Sequence, residues 1–166
     1  MKKVKISLLL ISLLVFQGSL LAQSRGNQTI RAKYAHSLGV AAGETTGYGI
    51  SYRYWPEKFG VQGTFSPYSD EWGSNYSVGV SLLYKIVQTE KVNFFLYQGN
   101  HYLYTREKYD NNDYEIVNNH FNNGIGFGVE FIILKRVSLN LMGGYAGFEN
   151  FRRIGFTGET GLYFMF

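Results

Sequence analysis

Residues 121–131 read FNNGIGFGVEF. Phe121, Ile125, Phe127, Val129 and Phe131 share one parity, and Asn122, Gly124, Gly126, Gly128 and Glu130 share the other. A period of two belongs to a β-strand with two unlike faces, here one apolar and one small or polar. The same alternation recurs along the chain: Tyr48, Ile50, Tyr52 and Tyr54 against Gly49, Ser51 and Arg53; Val78, Val80, Leu82 and Tyr84 against Ser77, Gly79, Ser81 and Leu83. Val137, Leu139 and Leu141 alternate with Ser138 and Asn140, and Leu162, Phe164 and Phe166 with Glu159, Gly161 and Tyr163. After residue 28 no window carries a helical period.

Counted outward from residues 121–131, the runs predict eight strands, at about 33–42, 47–55, 59–66, 75–86, 91–104, 119–131, 137–147 and 155–166, averaging about 11 residues against the ~9–11 a tilted membrane strand needs. The connections alternate as well. Residues 43–46, 67–74, 105–118 and 148–154 are polar or charged and two of them are long, whereas 56–58, 87–90 and 132–136 are tight. Short turns at one rim and longer loops at the other suit an up-and-down barrel in an outer membrane. The fifth strand is the ambiguous one: Phe94, Phe95, Leu96 and Tyr97 are apolar on both parities, and a bulge over Gln98–Asn100 could switch faces.

Composition agrees. Glycine is 20 of 166 residues, aromatics are 17% and prolines number 2, which excludes a helical bundle, a disordered chain and collagen. The absence of cysteine removes a disulfide framework, a thiolate metal site and a Cys nucleophile. The net charge of +4 is misleading, because Lys2, Lys3 and Lys5 account for most of it. Without them 13 basic residues face 12 acidic ones, with no basic stripe to hold nucleic acid.

The orientation of the faces decides between a soluble and a membrane barrel. A soluble barrel turns its apolar row inward, and a membrane barrel turns it to lipid. Glycines on the water side of a soluble strand weaken it without benefit. Inside a narrow barrel they make room for larger neighbours and for a few charges. The sequence therefore predicts an all-β, eight-stranded antiparallel transmembrane β-barrel over residues 23–166. Residues 1–22, with a cationic start, the apolar run ISLLLISLLVF (6–16) and Ala22 before Gln23, predict a secretory signal peptide. At the other end, ETGLYFMF (159–166) places Gly161, Phe164 and Phe166 in an aromatic terminal pattern.

This combination resembles the small eight-stranded outer-membrane barrels, the OmpA transmembrane domain and OmpX group. The resemblance covers residues 29–166 as a pattern. It implies integral residence in the outer membrane of a Gram-negative bacterium, and contact with outer-membrane lipid. It also implies recognition of the terminal pattern Gly161, Phe164 and Phe166 by the barrel-assembly machinery. The group hosts adhesive, structural and lipid-modifying proteins, so it does not fix an activity.

Arg53, Glu130 and Glu159 fall on the inward row and predict an ion network filling the lumen, since a buried charge is tolerable when paired and hydrogen-bonded. A filled lumen argues against passive diffusion; an open one would make a small channel. His101 and His120 flank the longest loop and are the catalytic candidates of a lipid-modifying enzyme, with Asn122 opposite His101 and no matching serine evident. No metal or cofactor site is expected: two histidines do not make one, and Asp110–Asp113 lacks the glycine and terminal glutamate of an EF-hand. The leading expectation is a non-enzymatic, envelope-structural or surface-interaction role. An extracellular partner would meet loops 67–74 and 105–118 through Tyr68, Trp72, Tyr109 and Tyr114. Trp55-Pro56, at the opposite rim, reads as an interfacial anchor. A soluble, lipocalin-like barrel is the remaining alternative.

Overall fold

The computed structural model describes residues 34–69, 73–108 and 115–166. The segment assigned to a signal peptide lies outside them. Eight strands follow in order: β1 (His36–Ala42), β2 (Gly49–Tyr54), β3 (Phe59–Ser69), β4 (Gly73–Gln88), β5 (Val92–Lys108), β6 (Glu115–Leu134), β7 (Val137–Phe148) and β8 (Arg153–Met165). Each pairs antiparallel with its neighbour, and β1 pairs with β8 from Ser37↔Met165 to Ala42↔Thr160, closing the barrel. Closure leaves no sheet edge within the apolar layer, where an unpaired backbone group is costly.

The faces sort as the period of two predicts. Ile50 (65% exposed), Ile125 (64%), Phe127 (67%) and Phe156 (76%) point outward, while Ser51, Ser77, Ser81 and Ser138 are fully buried. Bare aromatic and aliphatic side chains around an entire circumference far exceed the apolar patch a water-soluble monomer tolerates. They match a lipid-facing belt. Aromatic pairs lie near its ends: Tyr76 and Tyr104 at one, with ring centroids 5.9 Å apart, and Phe59 and Tyr84 at the other, 4.8 Å apart. His36 joins this second rim, stacking on Phe166 at 6.0 Å and bonding the Tyr52 hydroxyl at 2.6 Å.

Three sequence expectations change. First, β5 carries no bulge at Gln98–Asn100; the register shift lies on β4, between Lys85 and Val87 opposite Phe95 and Phe94. Strand β5 is apolar on both parities because Phe95 and Tyr97 enter the lumen while Phe94 faces out. Second, Trp55 is no interfacial anchor. It is 4% exposed and packs in a lumen cluster with Leu83, Phe95, Tyr97 and Met142, its ring edge-on to Phe95 at 5.1 Å. Third, much of segments 67–74 and 105–118 is strand. Pairing continues to Ser69↔Ser74 on β3–β4 and to Lys108↔Glu115 on β5–β6. Polar sequence looked like loop there because a strand beyond the lipid no longer needs an apolar row.

Candidate functional site

The lumen holds two polar assemblies. In the one nearer the β2–β3 turn, Arg53 extends from β2 and its Nη1 donates to Glu130 Oε1 at 3.1 Å, while its Nη2 donates to Gln62 Oε1 at 2.7 Å. Glu130, on β6, also accepts from Asn93 Nδ2 at 2.7 Å and Ser138 Oγ at 3.0 Å. The Asn140 amide oxygen accepts from Arg53 when its amide is oriented to fit its neighbours. The guanidinium lies 4.1 Å from the centroid of the Tyr163 ring. Both charged residues are almost fully buried. Burying ions is affordable when their remaining donors and acceptors are met, as most of these are. Lys85 lies 4.5 Å from the Trp55 ring centroid and caps this layer.

The second assembly is a plug. The segment joining β1 to β2 folds into the barrel, burying Thr45 and Thr46, and the Thr45 hydroxyl bonds the carboxylate of Glu159. Glu159 also accepts from Thr157 Oγ1 at 3.3 Å and from Tyr97 OH at 3.4 Å. Glycines on three strands make the space. A Cβ on Gly99 would stand 2.6 Å from the Thr45 carbonyl oxygen, one on Gly124 2.7 Å from Thr45 Cγ2, and one on Gly79 would collide with the Thr46 carbonyl. The inward glycines are thus a socket for the plug, Gly79 and Gly99 for its main chain and Gly124 for the Thr45 side chain. Glu159 and the Arg53–Glu130 pair belong to different assemblies, although all three residues share the inward row.

His101 and Asn122, directly paired across β5 and β6, hold the plug from its outer side. His101 Nδ1 and Asn122 Nδ2 each donate to the Glu44 carbonyl oxygen at 2.9 Å. A carbonyl only accepts, so Nδ1 carries the proton and, in the neutral ring, Nε2 accepts from Ser77 Oγ at 2.9 Å. Ser77 Oγ in turn accepts from the Tyr48 main-chain N–H at 3.2 Å. Sequence reasoning found no serine for His101 because Ser77 sits on the neighbouring strand, two residues along from Gly79, which the pairing matches with His101. Ser77 is fully buried and His101 nearly so, and both ring nitrogens are engaged. The Ser77–His101 pair is built as a strut for the plug.

Above the strut lies a cup of about 620 Å³ lined by Glu44, Tyr48, His101, His120, Asn122 and Arg153, among others. His120 lies opposite Leu103 and is half-buried at this mouth. The β7–β8 turn closes one side with Glu149, Asn150 and Phe151 all at positive φ, an unusual run for residues with side chains. It is held by the Glu149 N–H donating to Asn122 Oδ1 at 2.9 Å and the Asn150 N–H to the Phe121 carbonyl at 3.0 Å. Among the described residues no group of three His, Asp or Glu could hold a metal ion.

Tyr68 is exposed on the outer part of β3, and Trp72, Tyr109, Tyr114 and Asp110–Asp113 lie outside the described residues. In the terminal pattern Phe164 and Phe166 face outward and Gly161 faces the Tyr163 ring. Residues that sequence reasoning missed are Trp55, Thr45 and Ser77.

No protein-family model and no curated protein matches the sequence. Among solved structures, the N-terminal β-barrel domain of Pseudomonas aeruginosa OprF superimposes with a TM-score of 0.51 at 14% identity, covering 79% of this chain and 95% of that one. Neisserial surface protein A gives a TM-score of 0.51 at 16% identity over 79% and 94%. At that identity the likeness shows the fold. The fold agrees with the outward apolar belt and the closed polar lumen: the chain is a small eight-stranded integral β-barrel of the outer membrane.

Proposed function

We propose that this chain is a non-enzymatic outer-membrane protein that acts by contact at its outer surface. The observation that carries the reading is the unequal height of the barrel wall. Strand β3 reaches Ser69, β4 begins at Gly73, β5 reaches Lys108 and β6 begins at Glu115, whereas β7–β8 pairing ends at Phe148↔Arg153 and β1–β2 pairing at Ala41↔Gly49. Strands β3–β6 therefore form a raised sheet above the belt. Beyond Asn119 its β6 margin has no strand partner among the described residues, since β6–β7 pairing stops at Asn123↔Gly147 and the β7–β8 turn reaches only as far as Phe121 and Asn119. Along that margin Ile116 and Val117 are exposed on opposite faces. An open strand margin with apolar side chains in water suits a protein partner. Tyr68 on β3, and Trp72, Tyr109 and Tyr114, which neighbour these strands in sequence, are the contacts we assign to it.

The enzyme alternative needs a reachable nucleophile or base. The engagement of His101 and the burial of Ser77 favour a structural role for both. The test is binding of cells displaying the chain to a panel of extracellular-matrix and serum proteins. Shortening residues 105–118 should abolish the binding while the barrel stays folded, and unchanged binding would reject the surface assignment. His101→Ala and His120→Ala should leave the lipid profile of the outer membrane as it was.

A further inference from the structure

The outward row of β5 reads Phe94, Leu96, Gln98, Asn100, Tyr102, Tyr104, alternating with buried residues such as Phe95, Tyr97 and His101. At ~3.3 Å per residue and a tilt of ~40°, the step from Phe94 to Tyr104 crosses about 25 Å, the full height of an apolar band. Gln98 and Asn100 thus lie inside the hydrocarbon layer, well below the Tyr76–Tyr104 pair. Across the ladder Asn100 faces Asn123 of β6, the one polar interruption between Phe121 and Ile125 on that outward row. Three neutral amides share one lipid-facing patch.

They bond one another. Gln98 Nε2 donates to Asn100 Oδ1 at 3.0 Å, and Asn100 Nδ2 returns a bond to Gln98 Oε1 at 3.1 Å. Asn123 Nδ2 donates to Asn100 Oδ1 at 2.7 Å. The remaining amide hydrogens reach main-chain oxygens at long range: Gly99 O at 3.3 Å from both Gln98 and Asn123, and Val80 O at 3.4 Å from Asn100. Asn123 Oδ1 accepts no hydrogen bond among the described residues. The patch thus holds one open strong acceptor and three weakly used donors, all within hydrocarbon, where an unmet polar group is expensive.

We propose that Gln98, Asn100 and Asn123 form the contact by which two copies of this chain associate side by side in the membrane. Surplus and deficit occur on the same uncharged patch, which makes it complementary to itself. A two-fold axis through it sets the donors of each copy against Asn123 Oδ1 of the other, reciprocally, as an isologous interface requires. Polar side chains serve as this kind of glue between membrane segments. The flank also permits close approach. Val80, beside Asn100, pairs on its other side with Gly63, where a Cβ would meet no atom within 4 Å.

The full chain, expressed into the outer membrane of a Gram-negative host, tests this directly, because it has no cysteine to confuse cross-linking. Tyr102→Cys, beside the patch, should yield a disulfide-linked dimer, and Ile50→Cys, on the far side of the barrel, should not. In density-matched detergent the wild type should sediment as a monomer–dimer equilibrium. The triple variant Gln98→Leu, Asn100→Leu, Asn123→Leu should associate about tenfold or more weakly. Those leucines suit lipid, so the barrel should keep its folded, heat-modifiable mobility. A monomeric wild type, undiminished association of the triple variant, or equal cross-linking at residues 50 and 102 would each overturn the proposal.

Discussion

Replacing Arg53 with alanine should remove more stability than any change on the outer face of the barrel. Arg53 is 1% exposed, pairs with Glu130 at 3.1 Å, bonds Gln62 at 2.7 Å and covers the Tyr163 ring. Its loss leaves Glu130 with Asn93 and Ser138 and no cation in contact. A buried charge stranded in this way costs about 3–5 kcal/mol. Since ~1.4 kcal/mol is a tenfold change, the folding equilibrium should shift by roughly 10²–10⁴-fold. The double variant Arg53→Met, Glu130→Gln strands no charge, and should recover at least ~1 kcal/mol relative to the sum of the single changes. Urea titration of the barrel refolded in lipid vesicles, read by its heat-modifiable electrophoretic shift, measures both quantities. An Arg53→Ala barrel within ~0.5 kcal/mol of wild type, or a double variant as poor as the sum of its parts, would refute the reasoning.

Three other outcomes follow from the lumen geometry. Gly99→Val should displace the plug, so that a cysteine placed at buried Thr46 becomes reactive to a water-soluble maleimide, at a cost of about 1–3 kcal/mol in stability. Trp55→Ala should cost about 3–5 kcal/mol in the same urea titration because it empties part of the lumen cluster. Ser77→Ala and His101→Ala should each cost about 1–2 kcal/mol and be strongly non-additive together, because both act through one hydrogen-bonded chain from Tyr48 to Glu44.

Strand number, order and facing were legible in sequence because a membrane barrel writes them twice: as apolar residues on one parity and as glycine, serine and charge on the other. What stayed hidden depends on contacts between distant strands. Gly79, Gly99 and Gly124 signalled crowding, but nothing near Thr45 announced that its own turn fills the space. Trp55 looked like a rim anchor because aromatic residues serve both at headgroups and in an apolar layer of the lumen, and its neighbours Leu83, Phe95 and Met142 come from three other strands. Arg53, Glu130 and Glu159 shared a parity, yet a parity cannot give height along the barrel; the structure seats Glu159 with the plug and Glu130 with Arg53. The long outer hairpins were missed as strands for the opposite reason: above the lipid, the pattern that marks a strand disappears.

A membrane barrel and a soluble one differ in which face meets lipid, and tryptophan quenching by brominated acyl chains reads that face directly. The chain has two tryptophans, Trp55 and Trp72. In vesicles, the variant Trp72→Phe leaves only Trp55, whose emission should be indifferent to brominated lipid. Moving the sole indole outward, with Trp55→Phe, Trp72→Phe and Phe127→Trp combined, should give strong quenching. Quenching of Trp55 with none at residue 127 would contradict the assignment of the two faces.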